Sequence, residues 1–146
     1  MEQKKPINLL NKFKNSFLKS GKSYLAFKLI VQLLNYFSIK YNISPIKFLL
    51  VLYKNLNCFL EIRQVKIKRR IYFIPFSISK NRRSYLIFKK LREAICKDKR
   101  KISLFEKLKF EILLIIRKDK NSKTLEFNKQ NNLKIIVNRS NIHFRW

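Results

Sequence analysis

The sequence predicts a mainly α-helical fold: a single domain of about six helices with one protruding two-stranded β-hairpin. Three observations carry this. First, 146 residues with 47% hydrophobic content make one ordinary domain with apolar material for one core. Second, apolar residues recur at helical spacing over most of the chain. Third, the period changes between Phe59 and Ile78, where two β-branched and aromatic runs flank a basic turn. There is no internal repeat and no Pro- or Gly-rich linker, so residues 1–146 read as one unit. Within it, residues 1–7 form a basic extension, 58–78 a hairpin arm and 139–146 a basic aromatic tail.

Each element has its own signal. Over residues 8–20, Leu9, Leu10, Phe13, Phe17 and Leu18 share one stripe, which predicts an amphipathic helix ended by Gly21. From Lys22 to Lys40 the chain is apolar nearly all round, as a central core helix would be. Ser44-Pro45 then pairs an N-cap serine with proline at the first helical position, opening a third helix. Strands follow over Phe59–Ile67 and Ile71–Ile78, with Lys68-Arg69-Arg70 at the turn. Pro75 is compatible with a strand only at a sheet edge, which a two-stranded hairpin allows. Helical spacing returns over 81–97. Ser103-x-x-Glu106 is a capping-box pattern for a fifth helix to about Lys118, and a sixth covers Thr124–Asn138.

Charge narrows the function. Thirty-five Lys and Arg against 8 Asp and Glu leave a formal charge of +27. A domain of this length has a radius of gyration of roughly 15 Å, so the excess repels itself unless a polyanion neutralises it. The partner is RNA, DNA or an anionic membrane surface. Phosphate-cradling loops are excluded, because Gly21 is the only glycine. Cys58 and Cys96 lie far apart among apolar neighbours and read as buried thiols. With one histidine they build no zinc site. Nothing calls for a metal or cofactor. No stretch approaches the roughly 20 apolar residues of a membrane span, and the N-terminus shows no signal-peptide pattern. The abundance of Ile, Asn, Lys and Phe fits an AT-rich coding bias of the organellar kind.

No catalytic set emerges. His143 sits beside Phe144 and Trp146 with no partner for acid–base work. Glu106 reads as a cap, and Glu61, Glu93 and Glu111 as internal partners for lysines or arginines. The basic residues are the candidates for contact with nucleic acid. Arg63, Lys66, Lys68, Arg69 and Arg70 gather on the hairpin, whose turn would stand roughly 25 Å from its base at ~3.3 Å per residue. Apolar residues in both phases of the strands imply a partner against each face, or a bulge. Lys80, Arg82 and Arg83 open the fourth helix, where cations oppose the dipole and gain little locally. An anion there would meet both side chains and free backbone N–H groups. Lys89 and Lys90 follow on later turns, Lys12, Lys19 and Lys22 lie along the first helix and its exit, and Arg139, His143, Arg145 and Trp146 form the tail.

The order of several motifs resembles one family. Tyr72-Phe73-Ile74-Pro75-Phe76, then Arg82-Arg83, Leu86 and Glu93-Ala94, are similar to the central stretch of small-subunit ribosomal protein seven. His143-Phe144-Arg145-Trp146 resembles that family's C-terminal ending. Leu9-Leu10 with Phe13, Gly21-Lys22, Asn55 and Leu60-Glu61-Ile62 fall in matching order. Ile102-Ser103-Leu104, Glu106-Lys107, Phe110 to Leu113 and Arg117-Lys118 look most like mitochondrially encoded members. Two departures stand out. Lys68-Arg69 replaces a Gly-Gly pair at the hairpin turn, and Glu126-Phe127-Asn128 replaces a basic run before the last helix.

The resemblance implies a structural constituent of the small ribosomal subunit, not an enzyme. It implies binding to the 3′ major domain of small-subunit rRNA, nucleation of head assembly, and neighbouring head proteins as partners. It also implies a hairpin near exit-site tRNA and the mRNA exit path, and a mitochondrial location, with the plastid as alternative. Two other readings remain at this level: a cationic protein on an anionic membrane surface, and a DNA-binding regulator whose fourth and fifth helices mimic a helix-turn-helix.

Overall fold

The structure, a computed structural model, describes residues 4–144. It contains six α-helices, one antiparallel hairpin and a short 3₁₀ helix among those residues. In chain order these are α1 (Lys4–Ser16), α2 (Ser23–Tyr41), α3 (Pro45–Asn55), β1 (Leu60–Ile67), β2 (Arg70–Ser77), α4 (Lys80–Cys96), α5 (Leu104–Arg117) and α6 (Lys123–Val137). The 3₁₀ turn η1 spans Arg139–Phe144. The mainly α fold with one hairpin is therefore the observed one.

Capping explains most boundaries. Ser44, Ser79, Ser103 and Ser122 each accept a hydrogen bond from the backbone N–H three residues on, opening α3, α4, α5 and α6. The pattern at Ser103 is half a capping box, with the serine accepting from Glu106 N at 3.2 Å. Asn42 and Lys118 close α2 and α5 in the left-handed conformation. The first helix departs from expectation: it begins at Lys4, inside the supposed extension, and ends at Ser16. Gly21 lies in the following turn, where Ser20 and Gly21 both take positive φ.

One core holds the helices together. Phe13, Ile30, Leu33, Phe37, Leu49, Leu52, Phe88, Leu91, Leu108, Ile112 and Ile115 are fully or almost fully buried. Stacked rings join neighbouring helices: Phe13 meets Phe88 at 4.7 Å between α1 and α4, and Phe37 meets Phe48 at 4.8 Å between α2 and α3. α2 is less enclosed than its composition predicts. Ala26, Ile30, Leu33, Leu34 and Phe37 are buried, but Tyr24, Leu25, Phe27 and Ile39 are exposed. Glu111 also departs from expectation. Among the described residues it pairs with no lysine or arginine, but it accepts from Ser122 Oγ (2.8 Å), Thr124 N (2.9 Å) and Thr124 Oγ1 (2.7 Å). A buried carboxylate thus satisfies the start of α6, where the helix dipole favours it. Cys58 is buried as expected, but Cys96 is exposed, because the last turn of α4 carries it to the surface.

The hairpin runs in unbroken register from Leu60↔Ser77 to Ile67↔Arg70, so the apolar residues on both faces do not mark a bulge. The chain itself covers part of it. Asn131 of α6 donates to Leu60 O (3.3 Å), Asn141 of η1 donates to Phe73 O (3.2 Å), and the Tyr72 ring packs on Phe144 at 4.8 Å. An unsupported two-stranded ribbon is marginal in water; α6 and η1 supply the support. Ile71 and Phe73, on the opposite pleat from Tyr72 and Ile74, remain exposed.

Only Lys68 and Arg69 form the turn, since Arg70 already belongs to β2. Lys68 has φ 54° and Arg69 does not take positive φ. A left-handed non-glycine residue costs about 1–2 kcal/mol. Lys68→Gly is therefore expected to stabilise the protein by about 1 kcal/mol, part of the gain being lost to the freer unfolded chain. Urea unfolding of the variant beside the parent checks this; equal or lower stability would mean the turn is unstrained.

Candidate nucleic-acid interface

The basic candidates fall into distinct groups, and one lies where the hairpin base meets α4. Ser79 ends the hairpin connection and caps α4, so Lys80, Arg82 and Arg83 project from its first turn. Across from them, Arg63 points from β1. Between the two guanidiniums lies Glu61, a buried carboxylate that accepts from Arg63 and, at 3.2 Å, from Arg82 Nε. Each arginine also lies over an aromatic ring: Arg63 over Phe76 at 5.1 Å and Arg82 over Tyr85 at 5.4 Å. Burial works against the charged form of Glu61, but hydrogen bonds from Arg63 and Arg82, with their charges, outweigh it and hold its pKa below 4.5. The carboxylate is therefore ionised at neutral pH.

Arg83 behaves differently. It stacks on Phe59 at 4.6 Å, donates from Nη2 to Ile78 O at 3.4 Å, and keeps its Nε buried without a hydrogen-bond partner among the described residues. Its side chain ties the start of α4 to the start of the hairpin. Lys12 is likewise engaged, donating to Ser84 Oγ (2.8 Å), Asn81 O (3.1 Å) and Asn81 Oδ1 (3.3 Å), which pins α1 to the first turn of α4. Lys90 donates to Asn128 Oδ1 at 2.7 Å and joins α4 to α6. Lys89 pairs with Glu93 one turn on, at 3.8 Å.

A groove of about 610 Å³ separates α1 from α4. Lys12, Asn15, Ser16, Tyr85, Lys89, Arg92, Glu93 and Cys96 line it. Arg92 reaches across to Ser16 O at 3.4 Å. Lysines, an arginine, amide and hydroxyl groups and a half-exposed tyrosine ring can meet phosphate, ribose and a base face together. The groove opens next to the Arg63–Glu61–Arg82 cluster through the shared residues of α4. Here the structure brings together Lys12, Arg63, Lys80, Arg82, Arg83 and Lys89.

Other candidates lie apart. Lys66, Lys68, Arg69 and Arg70 are exposed at the far end of the hairpin. Lys19 and Lys22 are exposed at the α1–α2 turn, beside a shallow apolar depression formed by Phe17, Leu25, Leu29 and Leu104. Arg139 and His143 are exposed on η1, which packs against β2 and so adds cations to the hairpin's flank. Arg145 and Trp146 lie outside the described residues. Sequence reasoning missed Tyr85, Phe59 and Phe76 as ring supports for arginines. The three-residue spacing of Arg82 and Tyr85 on a helix was the one available signal. Among the described residues no group of three His, Cys, Asp or Glu is placed to hold a metal, and no helix is long and apolar enough to cross a membrane.

A helical domain presenting a cationic groove, ring-supported arginines and a basic arm has the features of a nucleic-acid-binding protein. The sequence matches the family described as Ribosomal protein S7p/S5e over residues 2–133, and the chain belongs to that family. Membership brings a structural role in the small ribosomal subunit, binding to its rRNA and ribosomal partners; the family is not one of enzymes. No match was found among curated protein sequences.

The geometry separates the two adjacent arginines. Arg82→Ala is expected to flatten the salt dependence of rRNA binding by somewhat under ~1 in the log–log slope, with a modest fall in melting temperature because buried Glu61 keeps only Arg63 as its partner. Arg83→Ala should lower the melting temperature through loss of the Phe59 and Ile78 contacts and leave the slope nearly unchanged. Filter binding over a salt series, with thermal melts of both variants, checks the split; an unchanged slope for Arg82→Ala would make that residue surface charge only.

Proposed function

We propose that the protein binds the 3′ major domain of small-subunit rRNA and nucleates assembly of the subunit head. The α1–α4 groove and the hairpin base form the main rRNA surface. One observation carries this reading above others: half-exposed guanidiniums are held on rings and on a carboxylate beside a groove that offers both cations and an aromatic face. Such a surface suits shape-led RNA binding through phosphate and ribose, and the resemblance of Arg82-Arg83 and the Pro75 strand to the family's central stretch supports it.

In this reading Arg63, Lys80, Arg82 and Lys89 face RNA, with Lys19, Lys22, Arg139 and His143 as flanking contacts. Lys12, Arg83 and Lys90 serve by fixing α4 against α1, the hairpin and α6. Lys66, Lys68, Arg69 and Arg70 lie near exit-site tRNA and the mRNA exit path, where a basic tip can follow passing phosphates. Arg145 and Trp146 extend the tail contact. The exposed aliphatic surface of α2 and of the hairpin meets other head proteins. Resemblance to mitochondrially encoded members, together with the AT-rich composition, supports a mitochondrial ribosome as the setting.

Division of labour between base and tip is testable. Replacing Lys68, Arg69 and Arg70 together by alanine should leave the protein in assembled small subunits but reduce retention of exit-site tRNA. Gradient sedimentation followed by tRNA filter binding measures both. Loss of the variant from assembled subunits would contradict the assignment.

A further inference from the structure

Among the described residues, Glu61 is the carboxylate in the cationic surface at the hairpin base, and its placement is unlike that of a surface counter-ion. Its side chain is 11% exposed, whereas its partners Arg63 and Arg82 are 53% and 49% exposed. The anion is therefore enclosed, while both arginine side chains keep about half their surface in solvent. The two arginines come from different elements, β1 and α4, with the rest of the hairpin between them in sequence. Arg82 uses its Nε on Glu61, and its terminal nitrogens have no partner among the described residues. Phe76 and Tyr85 restrict each guanidinium from its face.

We propose that Glu61 is a positioning residue for RNA recognition: it orients Arg63 and Arg82 as a fixed pair, with their free edges presented to two phosphates, and removes one of their two charges. This rests on the rRNA-binding reading above and assigns the source of selectivity within it. The physics has two parts. A long arginine side chain loses about 2 kcal/mol of rotamer freedom when fixed, so an arginine held beforehand loses less on binding. A phosphate pair at the matching spacing benefits; a random one does not. Cancelling a charge also weakens attraction to any polyanion, which is the unselective share of binding. Glu61 thus lowers affinity for RNA in general while favouring one backbone shape.

A surface role or a purely structural role predicts something else. Loss of a structural ion pair lowers stability and weakens all RNA binding together. Loss of a positioning carboxylate moves the two affinities in opposite directions.

The test uses the full chain with two transcripts of equal length: the small-subunit rRNA 3′ major domain and an unrelated structured RNA. In Glu61→Gln, binding to the unrelated RNA should tighten and its log–log salt slope should steepen by somewhat under ~1. The ratio of specific to non-specific affinity should fall roughly tenfold, the scale of one lost charge-assisted hydrogen bond. Arg82→Lys keeps every charge but removes the Nε donor to Glu61 and the planar guanidinium, so selectivity should fall with the slope unchanged. This second variant carries the test if Glu61→Gln does not fold. Parallel weakening toward both RNAs, or full selectivity in Arg82→Lys, would overturn the proposal while leaving rRNA binding intact. A parent protein that binds the two transcripts equally would overturn the rRNA reading itself.

Discussion

Charge imbalance constrains everything else in this molecule. A chain of 146 residues with a formal charge of +27 must fold around one core while its surface repels itself. Only eight carboxylates are available, and between Glu2 and Glu61 the sequence has none. Surface ion pairs are worth little in any case, about 0–1 kcal/mol each. Stability therefore comes from elsewhere: stacked phenylalanines between helices, serine caps, and lysines or arginines that donate to carbonyl, hydroxyl and amide oxygens rather than to acids. Several cations also lie on rings, as Lys97 does on Phe127 and Lys109 on Tyr36. Neutral acceptors and π faces absorb what acids cannot. The remaining charge is left for a polyanion, and rRNA is that partner in this family.

Two buried carboxylates show how the few acids are used. Glu111 closes the α5–α6 junction by accepting three hydrogen bonds at the start of α6. Glu61 joins the hairpin to α4 through two arginines. Both connect separate elements, and both sit where an unpaired anion would be costly. The hairpin is fixed at three levels: Glu61 and Arg82 at its base, Asn131 along β1, and Asn141 with Phe144 along β2. Its basic tip is presented by a braced arm.

Much of this was legible in the sequence because the signals are local. Ser44-Pro45, Ser103-x-x-Glu106 and the apolar stripes of the helices depend on neighbours within one turn, and the structure agrees to within a few residues. Glu61 read as a partner for lysines or arginines, and the structure pairs it with Arg63 and Arg82. Non-local features were not legible. Nothing in the local pattern tells that Lys12 would reach Ser84, that Lys90 would reach Asn128, or that Glu111 would serve Ser122 and Thr124 instead of a lysine. Those partners are set by packing between helices. The tail read as an aromatic RNA contact, and the structure adds that η1 supports β2. Cys96 read as buried from its apolar neighbours, yet helical rotation at the last turn of α4 places it outside.

Ultraviolet crosslinking of the protein in cell lysate, with sequencing of attached RNA and mass spectrometry of attached peptides, tests the central claim most directly. Reads concentrated in the 3′ major domain, attached to peptides from α1, α4 and the hairpin base, are the predicted result. Reads scattered over unrelated transcripts, or crosslinks confined to the α2–α3 side, would contradict it.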